Sequence, residues 1–135
     1  MITEALLCLA LNIYHEARGQ SVRGQEAVAV VTMFRAEFQP NQVCTEVFRP
    51  KQFSWTKGLS SYRNDPSVEQ LQKLTPKTNA VAWKKAKHIA RLALEDKITS
   101  PAKSARFFYN PKKANPIWKG SFIVVARIDD HIFLK

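Results

Sequence analysis

The sequence predicts an α+β fold, three main helices followed by a small C-terminal antiparallel sheet. Apolar residues recur with helical spacing from Ala5 to Phe38, and again from Asn79 to about Asp96. The period then changes to short aromatic and β-branched runs at 105–109, 122–128 and 131–134. Asp129-Asp130, between the last two runs, reads as a tight hairpin turn. A chain of 135 residues can bury a sizeable core without staples, so one domain spanning 1–135 is expected.

In order, the first helix starts near Thr3, a candidate cap, and runs to Arg18. Leu6, Leu9, Ala10 and Ile13 form its apolar face, and Gly19 to Gly24 form a turn. The second helix spans roughly Gln25 to Phe38, with Ala27, Val28, Val31, Phe34 and Ala36 as a wide apolar surface. Pro40 ends it, and residues 41–49 are either a short helix or irregular. Residues 51–56 show neither a helical nor a strand period. Residues 57–78 read as a long surface excursion with one short helix near Val68–Leu74, a loop length that is usually functional. The third helix keeps Ala82, Trp83, Ala86, Ile89, Ala90 and Ala93 on one face. Asn110 to Gly120 is a Pro- and Lys-containing loop around Trp118.

Composition is ordinary for a globular protein, 45% hydrophobic and 24% charged, but Lys+Arg 21 against Asp+Glu 11 gives +10. Such a field favours polyanions: nucleic acid, anionic lipid heads or an acidic cell-wall polymer. Two cysteines, Cys8 and Cys44, are too few for a disulfide framework or a metal site, and their apolar neighbours suggest buried free thiols. Residues 5–13 are too short to span a membrane and lack the basic flank of a signal peptide, so synthesis in a cytoplasm without a leader is expected.

Glu16 continues the apolar face of the first helix, two turns above Leu9. Two placements are open to it. Half sunk in apolar surroundings, its carboxyl loses hydration, its pKa rises, and it becomes a general acid near neutral pH. Turned sideways, it meets solvent or pairs with Arg18 or Arg23. An elevated glutamate cleaves a glycosidic bond by protonating the leaving oxygen. Sugars are held by flat aromatic faces with amide and hydroxyl hydrogen bonds. Gln52, Phe53, Ser54 and Trp55 offer one such cluster; Tyr109, Asn110 and Trp118 offer another. The alternative for Phe53, Trp55 and Trp118 is burial as core aromatics. A Cys44–His15 or Cys44–His131 nucleophile pair has no electropositive helix start to activate it. Gly-rich phosphate loops and paired metal-ligand histidines are absent from the sequence.

Asn12-Ile13-Tyr14-His15-Glu16-Ala17-Arg18-Gly19 resembles the signature of the SleB-type cell wall hydrolases, which include spore-cortex-lytic enzymes and phage endolysins. The resemblance continues through Gly24-Gln25-Glu26-Ala27-Val28-Ala29, Val43-Cys44-Thr45-Glu46-Val47 and Gln52-Phe53-Ser54-Trp55. Ala105-Arg106-Phe107-Phe108-Tyr109-Asn110, Pro116-Ile117-Trp118 and His131-Ile132-Phe133 complete it. It implies a lysozyme-like α+β domain that cleaves the MurNAc–GlcNAc strands of peptidoglycan. It places the catalytic acid at Glu16, with Gln25, the Gln52–Trp55 segment, Tyr109, Asn110 and His131 in the cleft; Trp118 joins them as an aromatic candidate.

No second carboxylate has an evident catalytic setting, so a lytic transglycosylase is expected ahead of a two-carboxylate muramidase. A basic nucleic-acid-binding module is the competing class. Peptidoglycan is the expected partner, with no nucleic acid, no stable membrane insertion, no cofactor and no metal, and the chain is expected to be a monomer. By analogy, a small basic leaderless lysin is what a phage makes when a separate holin opens the inner membrane of a Gram-negative host. It would then act on the wall from the periplasm.

Overall fold

The computed structural model describes residues 2–135. Five α-helices precede the sheet: α1 (Glu4–Ala17), α2 (Val22–Arg35), α3 (Pro40–Val47), α4 (Val68–Gln72) and α5 (Ala80–Leu94). Strands β1 (Phe107–Tyr109), β2 (Val124–Ile128) and β3 (His131–Leu134) form an antiparallel sheet in the order β1-β3-β2. The expected α+β architecture is observed.

Helix α1 lies at the centre. The Thr3 side chain accepts a hydrogen bond from the Leu6 N–H at 3.1 Å and starts it. Beyond the expected stripe, Leu7, Cys8, Leu11, Asn12 and Tyr14 are also buried. A helix apolar nearly all round must be surrounded, and α2, α3, α4 and α5 all pack on it. Burying Leu9, Leu11 and Ile13 fully contributes about 1.5–3 kcal/mol each.

The turn after α1 is shorter than expected, because Ser21 caps α2 by accepting from the Gly24 N–H at 3.2 Å. Gly24 is therefore helical. Its missing side chain makes room for the hairpin turn: a Cβ there would sit 2.5 Å from Asp129 Oδ2. Helix α2 also ends early, at Arg35, since Glu37 and Phe38 both adopt a left-handed backbone at φ 56°. Pro40 starts α3 as its first residue rather than merely closing α2.

Cys8 on α1 and Cys44 on α3 form a disulfide, with Cα atoms 5.3 Å apart, which corrects the expectation of free thiols. Apolar neighbours foretold burial of both cysteines. They could not foretell the register of two helices that brings the sulfurs together.

The 57–78 excursion holds two short helical pieces, a 3₁₀ turn at Ser60–Arg63 and α4. Leu71 is buried, and Tyr62 packs on Phe48 at 5.5 Å, so this segment covers the core. Strand β1 is shorter than the expected 105–109, and β2 begins after Ile123 rather than at Phe122. The register pairs Phe108 with Phe133 and Ile128 with His131. Among the described residues, no helix is long and apolar enough to cross a membrane.

Candidate active site

The C-terminal turn of α1, the C-terminal half of α2, the 51–54 segment, β1 and the loop after it enclose a cleft of about 540 Å³. Glu16 stands in its wall and is partly buried. Loss of hydration raises its pKa from 4.5 to about 7, against a smaller downward pull from the Lys113 ammonium. Neither Arg18 nor Arg23 forms an ion pair with it. Arg18 folds back on Tyr14 instead, donating to the Tyr14 carbonyl at 3.3 Å and lying 4.8 Å from the ring centroid. The apolar placement open to Glu16 in the sequence is the one the fold adopts.

Glu16 is the one carboxylate among the described residues that line the cleft. Around it are amides, aromatic rings and cations. The Gln52 amide oxygen accepts from Arg35 Nη2 at 2.8 Å, so its NH₂ end is left to face the cleft. Phe53 is buried with its ring tilted on Phe108 at 6.0 Å, and Ser54 beside it is exposed. Tyr109 meets Trp118 edge to face at 6.0 Å, and both line the cleft. Asn110 organises the following turn by accepting from the Lys112 N–H at 2.9 Å through its side chain and from the Lys113 N–H at 2.9 Å through its carbonyl. That turn presents Lys113 to Glu16.

His131 also lines the cleft, packed edge-on against Phe108 at 5.3 Å. Burial lowers its pKa and favours a neutral ring at neutral pH, against a smaller opposing pull from the Asp130 carboxylate. Its Nδ1 has no hydrogen-bond partner among the described residues.

Two expected cleft residues lie elsewhere. Gln25 is buried, donating to the Gln20 carbonyl at 3.2 Å, and its side chain supports the turn after Glu16 from behind. Trp55 donates its indole N–H to Asn12 Oδ1 at 2.9 Å and stacks on His15 at 4.4 Å. It backs the cleft wall rather than forming it, because the buried Asn12 carbonyl needs a donor that only an inward-turned indole supplies here.

Arg35 and Lys113 line the cleft and were not singled out from sequence. Arg35 is held by Glu46 at 3.3 Å, by Gln52, and by the Arg106 carbonyl at 2.9 Å, with its guanidinium 5.0 Å from the Phe107 ring centroid. Its signal was present: Arg35 stands one turn beyond the buried Val31 on the same helix face. Among the described residues, no group of three or more His, Cys, Asp or Glu side chains is gathered to hold a metal ion.

The sequence profile of the Cell Wall Hydrolase family matches residues 19–134. The chain belongs to the cell wall hydrolase family. Among its relatives, the spore cortex-lytic enzyme of Bacillus subtilis (strain 168) is 28% identical over 131 residues, covering 94% of this chain and 36% of that protein. The spore cortex-lytic enzyme of Bacillus cereus is 30% identical over 132 residues, covering 94% of this chain and 42% of that protein. The chain thus spans well under half the length of these curated relatives. The crystal structure of the catalytic domain of the Bacillus cereus SleB protein superposes with a TM-score of 0.70 at 27% identity, covering 98% of this chain and 90% of that one. The catalytic domain of the germination-specific lytic transglycosylase SleB from Bacillus anthracis gives 0.72 at 26% identity, covering 100% of this chain and 97% of that one. The chain therefore shares the fold of SleB catalytic domains. The family profile begins at Gly19, just after Glu16, whereas the structural matches extend over 98% or more of the chain.

Proposed function

We propose that this chain cleaves the glycan strands of peptidoglycan between MurNAc and GlcNAc as a lytic transglycosylase, with Glu16 as its acid and base. The observation that carries this is the solitary carboxylate: Glu16, with a pKa of about 7, faces a cleft otherwise lined by amides, aromatics and cations. Hydrolysis by the usual route needs a second carboxylate as nucleophile or base. Glu46, the buried acid nearest in type, is occupied by Arg35 at 3.3 Å and Arg49 at 2.6 Å.

One glutamate suffices when the substrate supplies the nucleophile. Glu16 donates its proton to the glycosidic oxygen as the C1–O bond breaks. The resulting carboxylate takes the proton of the muramic acid 6-hydroxyl, whose oxygen closes on C1. Glu16 ends protonated, and the product carries a 1,6-anhydro ring with no water consumed. A pKa near neutrality suits both halves of this cycle. The Bacillus anthracis neighbour is a germination-specific lytic transglycosylase, and that likeness supports the same chemistry here.

The buried Cys8–Cys44 bridge supports a place of work in an oxidising compartment such as a periplasm. A phage endolysin released to the wall with a holin's help fits that setting. Inducing the chain in a bacterial host with and without a holin tests this part, because lysis should need both.

The reaction type is tested by digesting purified sacculi in ¹⁸O water and weighing the fragments. Anhydromuropeptides without heavy oxygen at the new sugar ends are expected. Labelled reducing ends would instead mean hydrolysis by a muramidase.

A further inference from the structure

Behind Arg35 and Phe107 a second groove of about 560 Å³ lies beside α2. Arg35, Arg106 and Phe107 line both spaces and form the wall the two share. The other walls of the groove are Phe34, Glu37, Phe38 and Glu46. Glu46 is neutralised by its two arginines. Arg106 and Glu37 are different: both are exposed, and among the described residues neither forms an ion pair. The Arg106 guanidinium instead rests 5.4 Å from the Phe34 ring centroid.

The backbone sets where Glu37 and Phe38 stand. Glu37 and Phe38 both hold φ at 56°, a conformation that glycine or asparagine ordinarily adopts at a helix end. Phe38 remains 43% exposed there, edge-on to Phe34 at 6.1 Å. This is how α2 ends: the Phe38 N–H donates to the Met33 carbonyl at 2.8 Å and the Glu37 N–H to the Phe34 carbonyl at 2.9 Å, which fixes both side chains at the rim of the groove.

We infer that this groove takes the peptide stem that branches from muramic acid. The inference rests on the glycan-cleaving function proposed above. A stem is a short peptide bearing several carboxylates, alanine methyl groups and, where uncrosslinked, one ammonium. Arg106 meets a carboxylate, Glu37 meets the ammonium, and Phe34 with Phe38 cover the methyl groups. Its position just across the shared wall from the cleft matches a branch that leaves the sugar strand beside the bond being cut. The enzyme thereby distinguishes stem-bearing glycan from bare glycan.

The test uses uncrosslinked glycan strands with tetrapeptide stems and the same strands stripped by an amidase. For the wild-type chain, kcat/KM should be about tenfold higher on the stem-bearing strands, the effect of one charge-assisted hydrogen bond made only with the stem. Glu37→Gln with Phe38→Ala should bring that ratio close to one, chiefly through KM on the stem-bearing strands. Both side chains are exposed, and a melting curve checks that the variant folds. Equal wild-type rates on the two substrates, or a preference that survives in the variant, would overturn the inference while leaving glycan cleavage intact. Cleavage of neither substrate would overturn the glycan-cleaving function and the stem site with it.

Discussion

Gln20 and Asp130 are 110 residues apart in sequence and clasp each other through two hydrogen bonds. The Gln20 amide donates to Asp130 Oδ2 at 3.1 Å and accepts from the Asp130 backbone N–H at 3.0 Å. Beside them, Asp129 Oδ2 accepts from the Ser21 N–H at 2.8 Å and the Ser21 hydroxyl at 2.6 Å, while Lys112 pairs with Asp130 at 2.9 Å. The hairpin tip thus ties the turn after Glu16 to His131 and to the loop that carries Lys113. Gln20→Ala removes both bonds of the clasp and should lower the stability of the fold, measured by urea unfolding. Cleavage per folded molecule should also fall, because Glu16 and His131 lose their mutual register. Unchanged activity at reduced stability would make the clasp purely structural.

Raising the pH should weaken the enzyme through Glu16. The proposed reaction starts from its protonated form, so kcat/KM should decline as pH rises through about 7. Lys113 pulls that pKa down, so Lys113→Met should move the alkaline limb to higher pH. A limb that stays in place would detach Lys113 from Glu16.

Stability should follow the same proton. The folded-state pKa of about 7 lies above the ordinary 4.5, so folding favours the protonated carboxyl. Stability from this group is complete below about 4.5, is lost between there and about 7, and then levels off. Glu16→Gln has no such loss. Its advantage over the wild type should appear across that interval and reach about 1–3 kcal/mol, allowing for the partial exposure of the carboxyl. Parallel stability curves for the two proteins would contradict the raised pKa.

Reduction of the Cys8–Cys44 bridge should lower stability without altering the reaction. The cross-link spans 36 residues, for which chain-entropy arguments give about 4 kcal/mol, with 2–4 kcal/mol typical of measured bridges. A double Cys→Ala variant should melt earlier and release the same products. Neither cysteine lines the cleft.

Trp55→Ala should act on folding before binding. The change removes a large ring packed on His15 and Phe48 and leaves the Asn12 carbonyl unpaired. A loss of about 3–5 kcal/mol follows from comparable aromatic deletions. Weakened glycan affinity with stability intact would return Trp55 to the cleft surface.

The helix that carries Glu16 was legible because its period persists for several turns and the carboxyl simply continues the phase. The hairpin at Asp129-Asp130 was legible for the matching reason in strands. Other features depend on contacts that no local period encodes. Trp55 sits in a single 3₁₀ turn, which offers no repeat from which to read direction. The helix phase pointed Arg35 inward behind Val31, but its role was not legible, because the Glu46 carboxylate that neutralises it and the Gln52 and Arg106 oxygens that accept from it come from distant segments. The Cys8–Cys44 bridge and the packing of residues 57–78 likewise follow from how α3 and α4 dock on α1.

Everything proposed for the reaction depends on Glu16 as the proton donor. Glu16→Gln keeps the size of the side chain and removes the transferable proton. Clearing of purified sacculi by the folded variant should fall by at least about 10²-fold, the lower end of general acid contributions. Circular dichroism confirms folding in the same sample. A folded variant that clears walls at the wild-type rate would contradict the role of Glu16 as the acid.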